Sequence, residues 1–170
     1  SGAVTLLAGA GGSQAFGNVT FVDDSAVKID ANADAAGDLY LNAGTDGAVG
    51  GNLVVTATTG NITQGVAVAV TGTSAFTTSA SDATITLSNA SNALGGTVAF
   101  TTAGTTGNVV IDNGTTALDF AASTINGTLT ATGGASAGIV DSGNVAVAGN
   151  VTLTTDAGNG VINMGTLQQS

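Results

Sequence analysis

The chain has 170 residues and a formal net charge of −10, from 11 aspartates and one cation, Lys28, with no histidine, cysteine or proline. Because phosphate backbones are gripped by lysine and arginine, this balance argues against nucleic-acid binding, and an anionic membrane surface would repel the chain. Without histidine and cysteine there are no imidazole bases, thiol nucleophiles or usual zinc ligands. We therefore expect that the protein is not an enzyme, binds no cofactor and does not insert into a membrane.

Short runs of alternating apolar and polar residues recur along the chain, and this alternation predicts β-strands. In chain order the clearest runs are residues 19–21, 27–29, 39–41, 84–87, 97–100, 129–132 and 151–154. Glycine interrupts every alanine-containing window, which disfavours helices. The absence of proline suits a chain that is strand almost throughout, because proline removes a ladder hydrogen bond.

A glycine, a small polar residue and an aliphatic residue come before many of these runs. The signature occurs at residues 17–19, 37–39, 51–53, 96–98, 107–109, 127–129 and 149–151. Glycine and asparagine tolerate positive φ, so we predict that they turn the chain sharply before each strand. The spacings from 17 to 37, 107 to 127 and 127 to 149 predict coils of about 20 residues.

A longer repeat overlies these coils. Apolar positions between Ile62 and Leu87 match positions between Ile139 and Met164 at a constant offset of 77 residues, and residues 17–21 match 96–100 at an offset of 79. We predict four coils per 77-residue unit, with residues 51–126 as one unit and 127–170 as part of another. Residues 1–170 would form a single solenoid segment, a piece of a longer repeat protein.

Parallel strands joined by short corners predict an all-β fold, a right-handed parallel β-helix, or β-solenoid, of about eight or nine coils. Alternation sends valine, isoleucine, leucine and phenylalanine inward, where each meets its counterpart in the neighbouring coils. We expect the five phenylalanines, at positions 16, 21, 76, 100 and 120, to stack inside.

The cadence of residues 127–134, 138–143 and 145–149, together with residues 85–98, resembles the repeat region of filamentous-haemagglutinin-like adhesins. These are large exoproteins of bacterial two-partner secretion, and the resemblance covers the chain from about Gly17 onward. It implies a right-handed parallel β-helix and a shaft segment of a secreted or surface-exposed protein. It does not identify a binding tip.

One segment suggests a metal site. Asp30, Asn32, Asp34 and Asp38 place oxygen ligands at spacings that begin like a calcium loop. The following glycine comes two positions later than an EF-hand requires and no glutamate closes the loop, so a polar corner between two strands explains the segment better.

Other polar patterns offer further sites. The adjacent pair Asp23 and Asp24 would point to opposite faces of a strand, which argues against glycoside hydrolysis. Thr-x-Thr pairs could order water on a flat face and bind ice, although β-branched residues decorate strands generally. Six Asn-x-Ser/Thr sequons are potential glycosylation sites. The Thr-x-Thr pairs begin at residues 56, 84, 128 and 152, and the sequons at residues 18, 61, 89, 113, 126 and 150.

These observations predict a non-catalytic structural and adhesive shaft of a bacterial surface or secreted exoprotein. Its partners would be host or matrix glycans or proteins, or further copies of itself. The alternative is an extracellular filament subunit that stacks end to end, because uncapped solenoid ends expose strand edges. A weaker alternative is an ice-binding solenoid.

Overall fold

The computed structural model describes residues 4–7, 19–23, 27–29, 38–42, 48–134, 137–156 and 160–170. These residues contain 21 strands. Their bounds are β1 Val4–Leu7, β2 Val19–Asp23, β3 Val27–Ile29, β4 Asp38–Asn42, β5 Ala48–Val49, β6 Leu53–Ala57, β7 Ile62–Gln64, β8 Ala69–Val70, β9 Ser74–Ser81, β10 Ile85–Leu87, β11 Ala93–Leu94, β12 Thr97–Ala103, β13 Val109–Asp112, β14 Leu118–Phe120, β15 Ser123–Ile125, β16 Leu129–Gly133, β17 Ile139–Asp141, β18 Val145–Val147, β19 Val151–Thr155, β20 Ile162–Asn163 and β21 Leu167–Gln169.

The described strands pair in parallel and form three sheets that run along one solenoid. The eight-stranded sheet has the order β1-β4-β3-β7-β10-β13-β16-β19, and the three-stranded sheet has the order β11-β8-β5. The ten-stranded sheet runs β2-β6-β9-β12-β14-β17-β20, with β15, β18 and β21 stacked beside it. The chain passes from one sheet to the next and returns one turn later, so the predicted all-β parallel solenoid is confirmed.

The register of the eight-stranded sheet gives the length of each turn. Ile62 pairs with Ile85, Ile85 with Val109, Val109 with Leu129, and Leu129 with Val151. Successive turns are therefore 20 to 24 residues long, and five turns separate β6 from β20. The coil count of eight or nine and the right-handed winding stay predictions.

The 77-residue repeat does not correspond to a whole number of turns. Three turns lead from Ile85 to Val151 in the eight-stranded sheet, and only then does the chain reach Ile162 of β20 in the ten-stranded sheet. The prediction of four coils per 77-residue unit is therefore wrong, because the offset consists of three turns and then the passage from β19 to β20, which lies in a different sheet. The sheets share the same alternation, which makes strands on different faces look alike in sequence. The single-segment assignment of residues 1–170 stays a prediction.

The looser 79-residue offset does relate equivalent positions. Val19 pairs with Leu53, Leu53 with Ser74, and Ser74 with Val98. Three steps in one sheet thus join residues 79 apart, although the first step spans 34 residues. The predicted coil from residue 17 to residue 37 is wrong, because β2 pairs with β6 whereas β4 lies in the eight-stranded sheet between β1 and β3.

The core is a column of buried aliphatic and aromatic side chains between the sheets. Phe76 and Phe100 stack with ring centroids 5.8 Å apart, and Phe120 follows at 6.1 Å with its ring tilted by 55°. Phe21 is also buried, but its in-register neighbour is Val55, which separates it from Phe76. The predicted phenylalanine stack is therefore confirmed for three of the five rings, and Phe16 lies outside the described residues.

The corner glycines are needed for space and not for an unusual φ. A Cβ on Gly72 would lie 2.5 Å from the carbonyl oxygen of Gly51, and one on Gly149 would lie 2.9 Å from that of Gly127. The described glycines with positive φ are Gly104, Gly114 and Gly138, which lie outside the predicted corner signature. Glycines of successive turns stack so closely that a side chain would push the turns apart.

Candidate functional site

The predicted calcium site lies almost entirely outside the described residues. Asp30, Asn32 and Asp34 fall outside them, and Asp38 is the first residue of β4. Of the adjacent carboxylates, Asp23 ends β2 and Asp24 is outside the described residues. Within the described part of the chain, no three acidic side chains are grouped closely enough to hold a metal ion. The calcium site stays a prediction.

Threonines line two outer faces of the solenoid. On the ten-stranded sheet, Thr56 is in register with Thr77, Thr77 with Thr101, and Thr101 with Thr124.

On the eight-stranded sheet, Thr86 is followed by Val110 and then by Thr130 and Thr152. The Thr-x-Thr pairs therefore do not share one face, and Val110 interrupts the row that comes closest to an ice-binding array. Ice binding stays a prediction that thermal hysteresis would test.

Buried amide side chains form a ladder inside the solenoid. Asn92 is 3% exposed; its Oδ1 accepts from the Val68 N–H and from Gln64 Nε2, at 2.8 Å each. One turn later Asn113 is fully buried; its Oδ1 accepts from the Leu94 N–H at 2.8 Å and its Nδ2 donates to the Leu94 and Ala117 carbonyls. Because a buried amide costs free energy unless it is fully bonded, this amide ladder fixes how these turns stack.

The amide ladder is not predicted by the sequence patterns described above. Gln64, Asn92 and Asn113 stand at strand ends and in turns, where polar residues are ordinarily solvated. The signal that was available is the 21-residue spacing from Asn92 to Asn113, which equals one turn.

A second set of polar groups lies at the corners, where a side-chain oxygen accepts a backbone N–H from the corner one turn further along the chain. We name each such contact a corner clasp. Asn52 Oδ1 accepts from Thr73, Asn61 Oδ1 from Thr84 and Asn108 Oδ1 from Thr128, each at 2.8 Å.

Two corner clasps use carboxylates. Asp82 Oδ1 accepts from the N–H groups of Thr105 and Thr106 at 2.7 and 2.8 Å. The Asp141 carboxylate accepts from the Gly165 and Thr166 N–H groups at 2.8 and 2.7 Å and from the Thr166 hydroxyl at 2.7 Å.

These contacts change the acidity of both groups. The backbone hydrogen bonds from Thr105 and Thr106 lower the pKa of Asp82. Desolvation acts to raise the pKa of Asp141, but the hydrogen bonds from Thr166 and Gly165 outweigh it and lower that pKa. Both carboxylates therefore stay ionised, and stay good acceptors, in conditions more acidic than an ordinary aspartate tolerates.

A shallow groove of about 240 Å³ runs across three turns near the corner that follows β15, β18 and β21. It is lined by Thr124, Ile125, Asn126, Ala146, Val147, Ala148, Gln168, Gln169 and Ser170. The lining has hydroxyl and amide groups and no charged side chain. Such a groove offers hydrogen bonds to a neutral ligand.

The sequons differ in accessibility. Asn113 is fully buried and its amide nitrogen is engaged, and the amide nitrogen of Asn126 donates to the Thr102 carbonyl at 2.6 Å. Asn61 and Asn150 are exposed on corners. The accessible sequons of the folded chain are therefore those on exposed corners. Asn18 lies outside the described residues.

Comparison with protein families identifies a match that covers nearly the whole chain. Residues 1–101 and 106–167 match the family described as "Repeats of unknown function (DUF5649)". The chain belongs to this family of repeats. Comparison with curated proteins and comparison with solved structures each gave no match. In the part of the chain that the structure describes, no helix has the length and apolar character needed to cross a bilayer.

Proposed function

We propose that this β-solenoid is a non-catalytic spacer, a stiff shaft segment of a bacterial surface or secreted protein. The observation that carries the proposal is the continuous parallel pairing of β6, β9, β12, β14, β17 and β20, which stacks five turns on one buried core with a register shift between Thr101 and Ala103. At the spacing of neighbouring strands, five turns span about 24 Å. Each turn is bonded to its neighbours along three faces, so bending the segment breaks ladder hydrogen bonds.

The outer surface supports an adhesive role for the same shaft. The row from Thr56 to Thr124 carries hydroxyl groups at every turn, and the groove near Ala146 is uncharged. Neutral glycans or extended protein segments bind to such surfaces through hydrogen bonds. The resemblance to haemagglutinin-like repeats, which the sequence carries at residues 127–149, agrees with a secreted or surface location.

Cell labelling tests the location. Antibodies raised against the folded chain should label intact cells of the source organism without permeabilisation, and a cytoplasmic marker protein should stay unlabelled. Labelling that requires permeabilisation would overturn the surface proposal.

Adhesion needs a separate assay. Beads coated with the chain should bind immobilised matrix glycans or proteins more than beads coated with an unrelated globular protein of similar net charge. Equal binding would exclude the adhesive role and leave the spacer role in place.

End-to-end assembly is the second candidate function, and one observation favours it. Ile139 is fully buried, whereas its in-register neighbour Ile162 is 47% exposed, and Val161 beside it is 54% exposed. Strands β19, β20 and β21 each pair with one described strand, so their other sides are available to the next turn of a solenoid, whether that turn comes from the same chain or from a second copy.

Electron microscopy over a concentration series tests assembly. Filaments of constant width that lengthen with concentration are expected if stacking is the function, and salt should promote them because the chains repel one another at a net charge of −10. Separate short rods at all concentrations would exclude this candidate.

A further inference from the structure

The corner between β20 and β21 is held by the Asp141 carboxylate and by the Gly143 carbonyl, which lies 2.6 Å from the Thr166 hydroxyl oxygen. Asp141, the last residue of β17, accepts three hydrogen bonds from Gly165 and Thr166 of this corner. On either side, β20 and β21 are strands of only two and three residues that pair with β17 and β18. Short strands contribute few ladder hydrogen bonds, so side-chain contacts, of which the clasp accounts for most hydrogen bonds at this corner, help to anchor this turn.

Few other charges act on this carboxylate. Among the described residues of β14, β17, β18, β20, β21 and the corner between the last two, the other charged group is Asp119. Its Oδ2 accepts from the Ser142 hydroxyl at 2.6 Å. No described cation in these elements neutralises Asp141, so the donors that balance its charge are the groups of the corner itself.

The clasp at Asn108 provides an internal comparison in the same solenoid. Asn108 Oδ1 holds the corner before β16 through the Thr128 N–H at 2.8 Å. An amide oxygen accepts this bond at every pH, whereas a carboxyl group loses one acceptor oxygen and all of its charge when it is protonated.

We propose that Asp141 is an acid-sensitive clasp, which opens the turn containing β20 and β21 at low pH while the turns clasped by asparagine stay closed. Opening uncovers one side of β17 and β18, since β20 and β21 are their neighbours on that side. Acid would thereby create strand edges for association with another chain. This acid-dependent opening does not require that the shaft is adhesive.

The direction of the pH dependence follows from the lowered pKa. A carboxyl group whose pKa is lower in the folded state stabilises that state above its unfolded pKa, and the stabilisation is lost as the pH falls through the folded value. The pKa of Asp141 is lowered from 3.8, so the clasp is complete at neutral and mildly acidic pH, begins to weaken near the ordinary aspartate pKa, and opens as the pH falls through the lower folded value.

Amide hydrogen exchange, expressed as protection factors to remove the intrinsic effect of pH, tests the proposal residue by residue. Between pH 6 and pH 2.5, protection of the Gly165 and Thr166 amides should fall about tenfold or more, because protonation of Asp141 weakens the acceptor of both amides. Protection of the Thr128 amide should fall less.

Two reciprocal variants separate the clasp from general acid unfolding. In D141N, one carboxylate oxygen is replaced by an amide nitrogen that donates, so one of the two backbone amides should lose its acceptor at every pH, and protection at both Gly165 and Thr166 should no longer depend on pH. In N108D, the Thr128 amide should acquire the acid sensitivity that it lacks in the native chain. Unchanged protection of the native Gly165 and Thr166 amides at pH 2.5, or an undiminished fall in D141N, would overturn the proposal.

Discussion

The turns between residues 62 and 123 and those between residues 129 and 169 are built differently inside the same solenoid. The first region contains the phenylalanine stack and the amide ladder, and the buried polar side chains of the described residues all lie between Ser74 and Ser123. In the second region the described side chains that pack on the core are aliphatic apart from Met164, and its last described corner is held from outside by Asp141. The first region therefore combines buried polar side chains with corner clasps, such as that of Asp82 on Thr105 and Thr106, whereas the described part of the second region has the clasp at Asp141 and no buried polar side chain.

The difference shows how a repetitive sequence selects one stacking arrangement. Aliphatic side chains tolerate small shifts because their contacts are not directional. A buried amide such as Asn113 loses several hydrogen bonds if the turns slip, so it penalises every other register. Corner clasps also favour one register, but they use exposed groups. Losing such a hydrogen bond therefore costs less free energy than losing the bonds of a buried amide.

The largest effect is expected from the aromatic stack. Phe100→Ala removes the ring between Phe76 and Phe120 and leaves a cavity, so the free energy of unfolding should fall by about 3 to 5 kcal/mol. Urea denaturation followed by circular dichroism measures it. The matched control is Thr101→Ala on the outward face of the same strand, for which a change of about 0.5 kcal/mol or less is expected. Similar losses in both variants would contradict an inward-facing Phe100.

The amide ladder should give the next largest effect. Asn113→Ala leaves the Leu94 N–H and the Ala117 carbonyl without their partners, at a cost of about 2 to 4 kcal/mol. Asn150→Ala, which changes an exposed asparagine of the second region, should cost about 0.5 kcal/mol or less. If both variants unfold at the same urea concentration, the ladder does not stabilise the first region.

The corner glycines should show a sharp positional contrast. A Cβ at position 96 would collide with the Gly72 carbonyl, whereas the nearest atom to a Cβ at position 95 is the Val70 oxygen at 3.3 Å. Gly96→Ala should therefore destabilise the chain by about 1 to 3 kcal/mol, and Gly95→Ala by less. Thermal unfolding of the two variants side by side measures the difference, and the reverse order would contradict the close stacking of corners.

Two buried serines in the first region should respond with opposite signs. Ser74 Oγ is buried without a hydrogen-bond partner, whereas Ser123 Oγ accepts from the Phe100 N–H at 3.0 Å and donates to the Ala121 carbonyl at 2.9 Å. Ser74→Ala should stabilise the chain by about 1 kcal/mol and Ser123→Ala should destabilise it by a similar amount. A loss of stability in both would show that the Ser74 hydroxyl has a partner.

The strands and corners of this fold could be predicted from sequence because both depend on local patterns. Val109 and Leu129, for example, follow the same corner signature and pair in register. The 77-residue repeat predicted the wrong number of coils. Ile85 and Ile162 are similar because both face inward, although they lie in different sheets. The path of β2 to β4 was also missed, since alternation does not encode which strands pair.

The candidate site was harder to predict than the fold. Asn92 and Asn113 look like turn residues until their one-turn spacing is combined with burial, and sequence does not report burial for polar residues. Asp141 carries no local signature at all, because its donors lie 24 and 25 residues away. Long-range hydrogen bonds of this kind emerge only when the turn length is known.

A distance between two spin labels tests the stiff solenoid most directly. The native chain has no cysteine, and an in-register row leads from Thr56 through Thr77, Thr101, Thr124 and Ala146 to Gln168. Labels on Thr56→Cys and Gln168→Cys, five turns apart, should give one narrow distance distribution centred near about 24 Å. Moving the second label to Ala146→Cys should shorten the distance by about 5 Å, the rise of one turn. A broad distribution, or no shortening, would contradict the parallel stack and with it the spacer.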